Sequence, residues 1–258
     1  MRLKDRLVVI FLNVEGVILM EKGSLLYEGK AKKVYSTNDS SIVWLEYTDQ
    51  ATAFNGEKKA AIQGKGALNN EITSLLFMKL SDAGIASHFV KKISNREHLA
   101  KKVNIIPLEV VVRNVAAGSF SKRLGIEEGV QLRKPIIEFY YKNDALGDPL
   151  LTDAHIDLLE LASEEEKAMI SEQAFKINNY LTELFEGIGI KLIDFKLEFG
   201  KTEAGELLLA DEISPDTCRL WDRATGQKLD KDVFRRDLGN ITDAYEEILT
   251  RLGGTKHV

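Results

Sequence analysis

The sequence is poor in the residues that staple or punctuate a chain. Among 258 residues there are one cysteine, four prolines, two tryptophans and four histidines. A single Cys218 excludes an intrachain disulfide, and no CxxC pair or Cys/His cluster with zinc-ligand spacing occurs. A reducing cytoplasmic setting fits this usage. No apolar run approaches the roughly 20 residues that an α-helical membrane span needs. The longest stretch runs 14 residues from Leu7 to Met20 and is interrupted by Asn13, Glu15 and Gly16. No small-x-small cleavage site follows it, so residues 1–19 are expected to be a dispensable extension rather than an export signal, with an alternation that suits an added strand. The phosphate-binding patterns GxxxxGK[ST] and GxGxxG are both missing. Against 35 basic residues stand 40 acidic ones, a net charge of −5. That balance leaves no global electrostatic footprint for duplex nucleic acid or an anionic membrane. His88, His98, His155 and His257 follow no motif and are expected in loops or at the surface.

What is present describes an ordinary globular chain, 44% apolar and 29% charged. At ~150 residues per domain, the length suits one large domain or two small ones. The front is strand-rich, with strands expected at Leu25–Tyr27, Lys32–Ser36 and Ile42–Tyr47. Leu68, Ile72, Leu75, Leu76 and Leu80 then recur at helical spacing, ending at Gly84. Further strands are expected at His88–Ile93 and Leu108–Val112. Ser163, with Glu166 three positions on, predicts the start of a long helix by the capping-box pattern. Its stripe runs Ile170, Ala174, Ile177, Leu181, Leu184, Ile188, and Gly187 and Gly189 close it. A hairpin follows, Ile190–Phe199 and Glu206–Glu212 around Lys201–Gly205, and an amphipathic helix spans roughly Gly239–Leu252. Strands in front and helices behind argue for an α+β fold rather than regular βαβ winding, with a lobe boundary near Pro107–Arg113.

Four segments concentrate chemistry. In IKLIDFKLEF, counting by twos puts Ile193, Phe195, Leu197 and Phe199 on one face and Asp194, Lys196 and Glu198 on the other. This is either the wet face of an alternating strand or a row that binds a metal and an anion together. Glu198 and Asp211 lie 13 residues apart on one hairpin, and two carboxylates suffice for Mg²⁺ when phosphate and water complete its shell. In YEGKAKKVY, residues Gly29, Lys30, Ala31 and Lys32 make either a basic hairpin tip or a phosphate cradle. VVRNVAAGSFSKRLG ends a strand at Arg113 and passes through a small-residue turn into Ser119, Lys122 and Arg123, an ordinary capped helix or an anion site. ISPDTCRLWD sets Asp216 and Arg219 in a loop, as a stabilising pair or as a bidentate anion holder.

Together and in order, YEGKAKKVY, TDQATAFNGEKK, IPLEVVVRNVAAGSFSKRLGI, DFKLEFG and DEISPDTCRLWD resemble the defining segments of the phosphoribosylaminoimidazole-succinocarboxamide synthase (SAICAR synthetase) family of de novo purine synthesis. The resemblance covers about residues 20–253. It implies a two-lobed α+β fold: a mostly antiparallel N-terminal nucleotide-binding lobe at 20–112, a larger α+β C-terminal substrate- and metal-binding lobe at 113–258, and ATP in the cleft. It implies a ligase that joins carboxyaminoimidazole ribonucleotide and L-aspartate with ATP and Mg²⁺. Its partners are then small molecules rather than nucleic acid or membrane, and a homo-oligomer is left open. By the same resemblance Lys30, Ala31 and Lys32 sit with the ATP phosphates, while the hinge Ile106–Glu109, Glu109 included, borders adenine through backbone groups. Glu198 and Asp211 hold Mg²⁺, and Asp194 and Lys196 serve catalysis. Arg113, Ser119, Lys122, Asp216 and Arg219 bind the substrate anions, and Asp49 with the 52–58 loop closes over the site. A small-molecule kinase would need the same ATP apparatus but no aspartate. A non-catalytic nucleotide-binding protein would not need the acid–base–acid row beside Arg113 and Arg219.

Overall fold

The computed structural model describes residues 8–13, 16–53 and 56–254. The first half comprises β1 (Val8–Asn13), β2 (Gly16–Glu28), β3 (Lys32–Thr37), β4 (Ile42–Tyr47), the hairpin β5 (Gln50–Ala53) and β6 (Lys58–Ala61), helix α1 (Lys65–Asp82), β7 (Phe89–Lys92) and β8 (Glu97–Lys101). The second comprises β9 (Asn104–Val115), α2 (Gly118–Leu124), β10 (Gln131–Tyr141), a 3-10 turn Asp144–Leu146, β11 (Leu150–Leu151), α3 (Asp153–Leu158), α4 (Glu164–Gly187), β12 (Ile190–Lys201), β13 (Leu207–Ala210), β14 (Cys218–Asp222), α5 (Asp232–Arg235) and α6 (Ile241–Arg251). Two large antiparallel sheets result, ordered β1-β2-β3-β4-β8-β7 and β11-β10-β9-β12-β13, with β14 also paired to β12, and β5-β6 forms a separate two-stranded sheet. The fold is two-lobed α+β. Among the described residues no helix is long and apolar enough to cross a membrane.

The helices form where the periodicity predicts. Ser163 caps α4 through a reciprocal bond with Glu166, and three acidic residues in its first turn complement the helix dipole. Ile170, Ala174, Ile177, Leu181 and Phe185 on α4 are fully buried, and they share one core with Ile72, Leu76, Phe77 and Leu80 of α1 and Ile248 and Leu249 of α6. That core backs the second sheet. The first sheet has only small clusters of its own, Met20 with Trp44 and Leu99 on one face and Val43 with Leu45 and Ala100 on the other.

Three expectations are corrected. First, the lobe boundary between 112 and 113 cuts through β9, a single strand paired along its length with β10 and β12. The passage between sheets is instead Lys102–Val103, after β8 ends and before β9 begins, and the hinge expected at Ile106–Glu109 lies inside β9. Here β12 bends, its register shifting between Glu198 and Gly200, and a Cβ at Gly200 would meet Cγ2 of Val103 at 2.7 Å. Backbone and link therefore pack too closely for a side chain. Second, strict alternation fails at Ile193. A register shift against β14 between Leu192 and Asp194 sends Leu192 into the main core with Phe195, while Ile193 packs with Val115, Ala117 and Trp221. Third, of the histidines expected in loops or at the surface, His98 is buried on β8, and His88, in the loop before β7, is buried as well, because each finds a partner inside. His98 Nδ1 faces Asn70 Oδ1 at 2.8 Å and His88 Nε2 faces the Asp211 carbonyl at 3.2 Å.

Residues 8–13 pair with Gly16–Glu21 of β2, and Val9 packs against the Met20–Trp44–Leu99 cluster. A chain starting at Met20 should therefore lose roughly 1 kcal/mol of burial and melt about 2–4 °C lower. Its kinetic constants should not change, since the site begins at Leu26. Differential scanning calorimetry beside steady-state assays checks both; an unchanged melting temperature would show that β1 adds nothing.

Candidate active site

A cavity of about 1050 Å³ lies between the sheets. Its roof is the first sheet and its turns (Lys30, Ala31, Lys32, Val34, Val43, Leu45), and its floor is β9 and β12 (Glu109, Val111, Arg113, Asp194, Lys196, Glu198). The floor is built by register. Antiparallel pairing sets Asp194 opposite Arg113, Lys196 opposite Val111 and Glu198 opposite Glu109. Because the core-facing alternates of β12 are Phe195, Leu197 and Phe199, the polar row has one direction left, into the cleft.

Three charge clusters follow along this floor. At one end Asp194, 3% exposed, receives Arg113 at 2.7 Å and Arg219 at 2.9 Å. Glu138 and Asp232 steady the two arginines from behind, at 3.0 Å from Arg113 and 3.1 Å from Arg219. Gly118, at φ 55°, lets Arg219 lie against the start of α2; a Cβ there would fall 2.7 Å from the guanidinium carbon. In the middle, Lys196 bridges Glu109 (2.8 Å) and Glu198 (2.7 Å). Burial disfavours its ammonium, but Glu198 and then Glu109 outweigh that and hold its pKa above the ordinary lysine value. At the far end Lys142 reaches Glu198 at 2.9 Å, and Lys32 pairs with Asp211 and with Glu212 at 3.0 Å. Burial pushes the Asp211 carboxyl up, yet Lys32 and Lys196 reverse the effect and keep it well below the usual range. Asp211 itself has φ 58°, left-handed for a non-glycine residue, which turns it out of the β13 ladder.

Of the residues singled out from sequence, Lys30, Ala31, Lys32, Glu109, Arg113, Ser119, Asp194, Lys196, Glu198, Asp211, Asp216 and Arg219 all line this one cavity. Lys122 does not; it is exposed on α2, outside the lining. Asp49 is also outside, held by Arg96 at 2.8 and 2.7 Å and by the Gly66 amide, which makes it an anchor for the start of α1. Asp216 lines the cavity, but its oxygens are taken by the fully buried Lys65 and by Tyr245, both at 2.5 Å. Burial would raise the Asp216 carboxyl, but Lys231 and then Lys65 hold it low. Missed from sequence were Lys142, Glu212 and Lys231. Glu212 stood beside Asp211 in LLLADE, whereas nothing local marks Lys142 or Lys231.

A metal would find hard oxygen donors in Glu198, buried on β12, and in Asp211, half-buried just past the end of β13, whose charges both act on Lys196. Among the described residues no cluster of three or more His, Cys, Asp or Glu stands ready for a metal. An ion here would draw its remaining ligands from phosphate and water, which suits Mg²⁺. Lysines and carboxylates at one end of a cleft and paired arginines at the other are what an enzyme that binds two anionic substrates side by side would need.

Comparison with known proteins narrows this class. The profile of the SAICAR synthetase family matches residues 25–252. The phosphoribosylaminoimidazole-succinocarboxamide synthase of Bacillus cytotoxicus is 64% identical over 239 residues, 93% of this chain and 100% of that protein. Its counterpart in Anoxybacillus flavithermus is 64% identical over 91% of this chain and 98% of its own. Among solved structures, the enzyme from Ehrlichia chaffeensis superposes with a TM-score of 0.88 at 50% identity, covering 91% of this chain and all of that one. A SAICAR synthetase in complex with ADP superposes with a TM-score of 0.87 at 48% identity, covering 90% and 99%. The chain belongs to the SAICAR synthetase family.

Behind Lys32 the buried histidines carry a pH dependence. His98 Nδ1 donates to Asn70 Oδ1, whose amide nitrogen is committed to three backbone carbonyls, and its buried Nε2 has no partner among the described residues. Burial, with His88 and Lys32 adding repulsion, depresses its pKa well below 6.5. The unfolded chain therefore binds a proton below pH 6.5 that the folded one refuses. This stability is present above pH 6.5 and is lost on acidification. The wild type should weaken relative to His98→Asn by about 1.4 kcal/mol per pH unit between pH 6.5 and 5. Urea unfolding of both proteins across that range checks it; parallel curves would mean His98 is charged in the fold.

Proposed function

We propose that this chain joins carboxyaminoimidazole ribonucleotide and L-aspartate into the succinocarboxamide ribonucleotide, with ATP going to ADP and phosphate, in purine biosynthesis. The observation that carries the reading is the row Asp194–Lys196–Glu198 within one cavity, arginines at one end and the Lys32–Asp211 pair at the other. Four residues of antiparallel strand separate Asp194 from Glu198, about 13 Å. That spacing leaves room for the transferring phosphoryl group and the accepting carboxylate to meet above Lys196.

A carboxylate is a poor electrophile because attack would expel oxide. Its oxygen therefore attacks the γ-phosphorus of ATP, ADP departs, and an acyl phosphate forms. The aspartate amine then adds to the acyl carbon, loses a proton, and phosphate leaves with the C–O bonding pair. The chain's part is positioning and charge neutralisation. Lys30, Lys32 and the Ala31 backbone hold the nucleotide phosphates, and Lys196 meets the oxygens on which charge accumulates. Arg113, Arg219 and Ser119 receive the ribonucleotide's anionic groups. Asp194, expected to be catalytic, is supported by its contacts as the residue that orients the two arginines. The Glu109 side chain is committed to Lys196, which supports an electrostatic role for it and leaves the hinge backbone for adenine. The apolar roof (Val34, Val43, Leu45) and Val103 and Ile105 suit the base. Glu198 and Asp211 would hold Mg²⁺, which when bound neutralises the phosphate oxygens. The buried thiol of Cys218, its pKa pushed up by desolvation, is inert and fits a reducing cytoplasm. Self-association belongs to the same proposal, supported by the large apolar side chains Leu158 and Leu159 exposed on and beside α3.

Release of ADP should require both the ribonucleotide and aspartate; hydrolysis that proceeds fully without aspartate would favour a kinase. Glu198→Gln and Asp211→Asn should each cost on the order of 3 kcal/mol in the transition state, about a hundredfold in turnover. Their folding, followed by circular dichroism, should persist, and near-normal turnover at moderate Mg²⁺ would remove either residue as a ligand.

Arg219→Lys keeps charge but loses the planar fork. It should raise the KM for ribonucleotide or aspartate far more than that for ATP, and Lys30→Ala should show the opposite bias. Titration of each variant with a non-hydrolysable ATP analogue and with ribonucleotide separates the two; an Arg219→Lys effect confined to the analogue would reverse the ligand placement.

A further inference from the structure

The hairpin that carries Glu198 ends abruptly. The ladder between β12 and β13 stops at the pair Glu198–Ala210, and the next residue, Asp211, turns into the left-handed region. That turn directs the Asp211 carboxylate toward Lys32 and Lys196, but it also takes the Asp211 carbonyl out of the ladder. A buried carbonyl without a partner is costly. The bond that meets it comes from His88 Nε2, at 3.2 Å. A carbonyl only accepts, so Nε2 carries the hydrogen.

His88 is tied down on every side. Its amide donates to the Leu209 carbonyl at 2.8 Å, and its own carbonyl accepts from the Lys101 amide at 2.7 Å. Ser87 bridges Leu209 in parallel register. The ring stands edge-on to Phe77 of α1, 5.8 Å between centroids, and faces His98 at 6.3 Å. The residue thus belongs to the connection between α1 and β7 yet grips β13 of the other sheet. It lines the cavity and is 5% exposed.

We propose that His88 is a positioning residue for Asp211: its Nε2–H fixes the left-handed turn at the end of β13 and so sets the direction of the carboxylate that would hold the metal. The proposal rests on the reading of Asp211 as a metal ligand. Groups that orient a ligand from behind typically change metal affinity by roughly 10–100-fold when removed. His88→Leu deletes the donor at similar volume, and His88→Asn keeps polarity but is too short to reach. His88→Gln places an amide N–H near the position of Nε2 and should restore the bond.

The test titrates Mn²⁺ into each full-length variant with ADP present, followed by electron paramagnetic resonance, and measures the Mg²⁺ concentration for half-maximal turnover. His88→Leu and His88→Asn should weaken both by about tenfold or more, at unchanged ribonucleotide KM, and His88→Gln should recover most of the loss. Melting temperatures identify any variant that fails to fold; if Leu does so, Asn against Gln carries the comparison. Folded loss variants with wild-type Mn²⁺ affinity would overturn the proposal, as would a Gln variant no better than Asn. Asp211→Asn is run in parallel. If it leaves Mn²⁺ binding intact, the metal reading of Asp211 has failed; if it abolishes binding while His88→Asn does not, only the role of His88 has failed.

Discussion

The antiparallel register of β9 against β12 is the constraint on which the site depends. It sets Arg113 across from Asp194 and Glu109 across from Glu198, so one strand pair delivers an arginine–carboxylate pair at one end and two carboxylates around Lys196 further along. A slip of one residue would send Lys196 and its neighbours into the core and bring Phe195 and Leu197 into the cleft. Packing forbids that slip. Phe195, Leu197 and Phe199 are locked beneath α1, α4 and α6 in the main core, and burying such side chains contributes roughly 2–3 kcal/mol each.

Charge is concentrated in the cleft far beyond what burial alone tolerates. Lys32 is matched by Asp211 and Glu212, Lys196 by Glu109 and Glu198, Lys65 by Asp216, and Asp194 by two arginines. Removing one partner of a buried pair commonly costs about 3–5 kcal/mol, because the remaining charge is stranded. The network is therefore a structural commitment as well as a chemical one. It also explains why Asp216 and Asp49 are better understood through what holds them than as free ligands. Lys65 and Tyr245 saturate the first, and Arg96 clasps the second.

The two halves are coupled by specific contacts besides the Lys32 pairs. Lys30 meets Asp144 across the cleft at 2.7 Å, Lys58 of β6 reaches the Phe234 carbonyl of α5 at 2.6 Å, and His88 holds both Leu209 and Asp211. The first is solvent-exposed and contributes little. The last is buried, and it joins the connection between α1 and β7 to the end of β13 and to Asp211.

Local periodicity was enough to determine α1, α4, α6 and the strands of the polar row, because helix and strand spacing depend only on near neighbours. The capping box at Ser163 and Glu166 was visible for the same reason. Short motifs likewise marked Lys30, Lys32, Arg113, Asp194, Lys196, Glu198, Asp211 and Arg219, which line one cavity, while their roles came from the resemblance of those motifs to the family and not from spacing alone. Only the tertiary structure decided the rest. The bulge at Ile193 arises from pairing with β14, the lobe link sits where Val103 crosses Gly200, and Lys142 reaches Glu198 from 56 residues away. His88 belongs to no motif, and no neighbour in sequence says that a left-handed Asp211 will leave a carbonyl for it to satisfy. Such partners are set by the meeting of distant strands, a property of register and burial that no local window of sequence contains.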